Sequence, residues 1–133
     1  MEEIFSKIQS HLDYLDSCIK LSKSIEKSDA DNIDAINSNL DNRDRLVSII
    51  SKVQLEIETM IDGLTGAQLK PESVQIFKAW QKDVHEMVSS IIEIDALIAT
   101  KLEDHKKQVQ SEIQSTFTNS EKFKGYNLQT VRK

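Results

Sequence analysis

Three histidines, one cysteine and two charges set among apolar residues are the groups in this sequence with the chemistry to hold a metal, attack a substrate or switch with pH. A di-iron centre in a helical protein needs Glu-x-x-His on inward faces, supplied twice. None of His11, His85 and His105 has a glutamate three residues before it. His85-Glu86 begins like a zinc-protease helix, but the second histidine such a helix places four residues on is Ser89 here. His105 falls between Leu102 and Val109 near an apolar stripe, where an imidazole serves packing or solvation more readily than a pH switch. Cys18 is alone, so it forms no intrachain disulfide, and beside Ile19 it suits the role of a small buried hydrophobe. The glycines at 63, 66 and 125 are too scattered for a phosphate loop. No Ser-His-Asp or Cys-His set follows from helical spacing. The expectation is a protein with no catalytic residues, no cofactor and no metal, hence not an enzyme.

Arg43 and Asp95 remain. Arg43 interrupts the stripe Ile33, Ile36, Leu40, Val47, Ile50 and Ile57, and Asp95 sits inside the apolar run from Ile91 to Ile98. A charge against an apolar seam is costly unless it is paired. Either each lies at its stripe's edge and reaches water, or the two fix helix register or receive a partner's charge.

The elements that would position these groups are helices. One Pro and three Gly leave few breakers in 133 residues, and aromatics at 5% leave the core to Ile, Leu and Val. A first helix is expected over 3–27, with Phe5, Ile8, Leu12, Leu15 and Ile19 on one stripe flanked by Ile4 and Ile25. Ser28-Asp29-Ala30-Asp31 breaks the pattern, and Asp29 or Asp31 can cap the next helix. A second helix is expected over 31–63, ended by Gly63 or Gly66 in the left-handed conformation. Pro71 suits the first turn of a third helix over 72–117, whose stripe runs from Val74, Phe77 and Trp80 through Ile94 and Ile98 to Leu102, Val109, Ile113 and Phe117. The fold class is all-α: an antiparallel three-helix bundle or long helical hairpin, with residues 118–133 as a basic tail or short fourth helix.

The third helix would be roughly 70 Å long against about 50 Å for the second, so its far end has less to pack against. Ile94, Ile98, Leu102, Val109, Ile113 and Phe117 are therefore the candidate partner-binding residues. The net charge of −5 argues against nucleic acid as the main partner. It is unevenly spread. Residues 118–133 carry Lys122, Lys124, Arg132 and Lys133 against Glu121, a net +3 that leaves −8 for the remainder. MEEIFSKIQS is acidic where a signal peptide is basic, and no run approaches the ~18 apolar residues of a membrane span, so a cytoplasmic protein is expected.

Leu40-Asp41-Asn42-Arg43-Asp44-Arg45-Leu46 after the Ser28–Asp31 break, Ile92-Glu93-Ile94-Asp95-Ala96-Leu97-Ile98 on a later helix, and the ending Lys122-Phe123-Lys124-Gly125-Tyr126 resemble the FliT-like flagellar export chaperones. The resemblance covers most of the chain. It departs at Asn42, where an acidic residue is common, and in the Ser-rich first half. The FlgN-like chaperones of hook–filament junction proteins share nearly the same architecture. The resemblance implies a chaperone that shields an amphipathic helix of a filament-cap-type client in an apolar groove and delivers it to the export apparatus. It also implies a tail, here Lys122, Phe123, Lys124 and Tyr126, that covers the binding surface and inhibits it. The alternative reading is a structural coiled-coil protein that self-associates, as a homodimer, through the same stripes.

Overall fold

Apolar side chains recur every three or four residues from Ile4 to Ile25, with neither glycine nor proline between them, and this segment folds as helix α1, Glu2–Lys27. Glu2 and Glu3 in its first turn and Lys27 in its last complement the helix dipole. α2 spans Ile33–Asp62 and α3 spans Pro71–Arg132. The structure, a computed structural model, describes the backbone of residues 1–132 and the side chains of residues 1–116. There is no strand among the described residues, and no helix among them is long and apolar enough to cross a membrane.

The connections differ in detail from the sequence reading. Asn32, rather than Asp29 or Asp31, holds the cap position of α2, and its side chain makes no cap bond. Asp29 is occupied one step earlier, where its carboxylate accepts the Asp31 N–H at 3.0 Å and closes a short turn. Neither Gly63 nor Gly66 adopts a positive φ. α2 instead tightens at its end, with the Gly63 N–H donating to the Thr59 carbonyl (3.1 Å) and the Leu64 N–H to that of Ile61 (3.0 Å). The side chain of Gln68 then accepts the Thr65 N–H at 2.9 Å, which shapes the connector before Pro71 opens α3. By backbone, α3 includes residues 118–132, which the sequence reading had assigned to a tail or short fourth helix. No proline follows Pro71, and a single glycine costs a helix only about 1 kcal/mol.

The chain divides into two units, Met1–Ile98 and Ala99–Lys133. In the first, Ile4 and Ile8 near the start of α1 pack with Ile57 near the end of α2 and with Phe77 and Trp80 near the start of α3. α2 therefore runs antiparallel to α1, and the first part of α3 runs parallel to it. Further along, Leu15 and Cys18 meet Ile50, flanked by Leu46, Val84, Met87 and Ile91. The buried residues of α1 are Ile4, Ile8, His11, Leu15, Cys18, Ser22 and Ile25, alternately four and three residues apart. That is the seam spacing of coiled-coil packing. It shares Ile8 and Leu15 with the stripe read in the sequence and takes in both its flanking residues, Ile4 and Ile25, while Phe5, Leu12 and Ile19 are its half-buried flank. The Phe5 and Phe77 rings meet at the flank with centroids 6.2 Å apart. Lys7 and Glu56 pair across α1 and α2 at 2.9 Å. That hydrogen bond holds the Glu56 carboxyl below its usual range and the Lys7 ammonium above its own.

In the second unit, none of residues 99–116 is buried. Leu102 and Val109 are half-buried, and Ile113 is 64% exposed.

The two units predict opposite responses to truncation. Ile57, fully buried, should cost about 2–5 kcal/mol when replaced by Ala in urea unfolding. Ile113→Ala should stay within about 0.5 kcal/mol of the native chain.

Candidate functional site

The seam of α1 is where this fold departs from a plain apolar bundle. His11, Cys18 and Ser22 occupy three of its seven buried positions. The imidazole of His11 is wholly inaccessible, and the indole N–H of Trp80 donates to its Nδ1 at 3.0 Å. The two rings meet edge to face with centroids 5.5 Å apart. A lone pair on Nδ1 that accepts a hydrogen bond carries no proton, so the neutral ring has its hydrogen on Nε2. That Nε2 has no hydrogen-bond partner. Burial pushes the His11 pKa down, and the Ile50 carbonyl and the Glu58 carboxylate oppose this more weakly.

One stretch further along, Arg43 of α2 and Asp95 of α3 form an ion pair. The two charges singled out in the sequence are thus each other's partner. Arg43 stands in the same sevenfold line as Ile36, Ile50 and Ile57, the buried residues of α2, and its side chain is only 15% exposed. Asp95, at 40%, meets it from the solvent side. Asp44 lies 4.0 Å from the guanidinium and adds little, while the Arg43 Nε is buried without an acceptor. Cys18 lies close enough to feel Arg43, Ser22 and Asp95. Burial pushes its thiol pKa up, and Arg43 and Ser22 pull it back only in part. The thiol therefore stays protonated at neutral pH, which makes it a poor nucleophile and a poor metal ligand. The Ser22 hydroxyl is buried and makes no hydrogen bond of ordinary geometry, its contact with the Cys18 thiol being weak.

The remaining candidates fall in different surroundings. Ile94 (9% exposed) and Ile98 (6%) are core residues of the Met1–Ile98 unit. Leu102, Val109 and Ile113 belong to the other unit, where Ile113 is the most open of the three. The side chains of Phe117 and of the tail residues Lys122, Phe123, Lys124 and Tyr126 lie outside those that the structure describes. His85 is exposed and His105 half-buried. Among the described residues, no three His, Cys, Asp or Glu side chains are grouped as a metal would require.

Sequence reasoning did not find the His11–Trp80 bond or Ser22. The signal was present: counting alternately four and three from Ile4 to Ile25 passes through both polar residues, whereas the most apolar stripe passes beside them. No protein-family model, no curated protein and no solved structure matches this chain.

The Arg43–Asp95 pair makes a differential prediction. Asp95→Ala strands a guanidinium in the seam and should cost about 1–3 kcal/mol, given the partial exposure of the pair. The double change Arg43→Leu with Asp95→Ala should recover most of that loss in the same urea measurement. A double variant no more stable than Asp95→Ala would show that the pair does not govern the seam.

Proposed function

We propose that this chain is a protein-binding chaperone of the flagellar export type, one that works by covering an apolar helix of a client and performs no chemical step. The observation that carries the reading is the state of residues 99–116. They form helix with no buried side chain, yet retain Leu102, Val109 and Ile113 at helical spacing. Most of a helix's stability in water comes from packing an apolar face, so a face left open on a helix suits a partner. A client helix laid along it is the helix-in-groove mode of recognition. On this reading Ile94 and Ile98 hold the bundle together while Leu102, Val109 and Ile113, with Phe117, meet the client.

The resemblance to the FliT-like family supplies the rest of the proposal: a filament-cap-type client, a cytoplasmic location, delivery to the export apparatus, and a tail whose Phe123 and Tyr126 cover the surface until the client arrives. The tail's +3 charge against −8 elsewhere fits such a role, although exposed ion pairs contribute little each. A FlgN-like chaperone would differ in its client, and a self-associating coiled coil would place a second copy of the chain on the same stripe.

A photo-crosslinker at position 113 of the full chain, mixed with a filament-cap protein, tests this directly. The proposal expects a crosslink to the client, and Ile113→Asp should weaken binding at least tenfold, about 1.4 kcal/mol. A crosslink formed only to a second copy of the chain, with a dimer that persists on dilution, would replace the chaperone reading by self-association. Removing residues 118–133 should increase client binding, and unchanged binding would remove the inhibitory role of the tail.

A further inference from the structure

His11 is the one histidine in the core, and its surroundings suit only one protonation state. The ring is inaccessible to water, its Nδ1 already accepts the Trp80 N–H, and its Nε2 makes no hydrogen bond of ordinary geometry, the Ile50 carbonyl acting on the ring only weakly. A second proton would have to enter at Nδ1. It would turn an acceptor into a donor facing the indole donor, so the Trp80 bond must break before the imidazolium can exist. The charge would then sit among Ile8, Leu15 and the other apolar residues of the seam without a counter-ion in contact.

The groups facing the ring offer little compensation. From α2 they are the Glu58 carboxylate, which acts only weakly on the ring, and the Ile50 carbonyl. The nearest acid–base pair between α1 and α2, Lys7 with Glu56, is already satisfied within itself. From α3 the facing group is Trp80, which does not titrate.

We infer that the His11–Trp80 bond makes the Met1–Ile98 bundle acid-sensitive, so that mild acid loosens the end built on Ile4, Ile8, Ile57, Phe77 and Trp80. The direction follows from linkage. An unfolded chain takes up the His11 proton below about pH 6.5, while the folded ring, its pKa lowered mainly by burial, does not. Protons then favour the unfolded state. The stabilisation conferred by the neutral ring is complete above about pH 6.5 and declines below it. The folded-to-unfolded ratio drops by up to tenfold per pH unit until the folded ring itself is protonated. Carboxylates such as Glu56, held low by Lys7, act in a separate and more acidic window.

Trp80 is the only tryptophan, so its emission reports on this bond directly. Urea unfolding of the full chain, followed by Trp80 emission at pH 7.5 and pH 5.5, should show a clear loss of stability at the lower pH. His11→Phe should remove most of that dependence, and His85→Gln with His105→Gln should leave it in place. A His11→Phe chain with the same pH dependence as the native chain would overturn the inference. Should that variant fail to fold, the ring NMR signals of the native chain decide. His11 resonances that titrate near pH 6.5 in the folded protein would overturn it. Resonances held in the Nε2–H form to well below that pH would sustain it.

Discussion

The burial of a single line of α1 side chains between α2 and α3 is the constraint on which the Met1–Ile98 unit depends. Seven residues from Ile4 to Ile25 are buried at alternating intervals of four and three, and buried clusters at both Ile57 and Ile50 form around them. With aromatics at 5%, few other residues have the bulk to hold three helices together. Each polar occupant of that line, or of the matching line on α2, must therefore be reconciled with the seam. His11 is matched to Trp80 and Arg43 to Asp95, whereas Ser22 has only a weak contact with the Cys18 thiol and the Arg43 Nε is left without an acceptor.

These polar positions add little net stability and much selectivity. A heptad seam of Ile and Leu tolerates slippage, because sliding one helix by seven residues restores apolar contacts. Such a slip between α2 and α3 would strand Arg43. One between α1 and α3 would leave His11 and Trp80 without each other, and one between α1 and α2 would part Lys7 from Glu56. Each cross-helix polar contact penalises a different misalignment, so together they select one register among several with similar apolar burial.

The helical elements were legible because Ile, Leu and Val recur at helical spacing between few breakers. Arg43 and Asp95 stood out for a related reason: a charge in an otherwise apolar register is visible without knowing its partner. That they are partners was not legible, since it depends on α2 running antiparallel to the first part of α3. The seam of α1 was legible in part, through Ile4, Ile8, Leu15 and Ile25. Phe5, Leu12 and Ile19 are more apolar than His11, Cys18 and Ser22, but position in the three-helix packing outweighs hydrophobicity in deciding which of two adjacent lines is buried. The turns were missed for a similar reason. Asp29 was a sound capping residue by type, but its carboxylate was taken by a nearer N–H.

Buried side chains line the seam of α1 and are absent from residues 99–116, so stability should reside in the first and not in the second. Amide hydrogen exchange of the isolated chain measures this residue by residue. The slowest amides should lie along residues 8–25 of α1 and around Ile50 to Ile57 of α2, exchanging only through global unfolding. Those of residues 99–116 should exchange at least about a hundredfold faster, as expected of helix without a packed face. Equal protection across both regions would contradict the account.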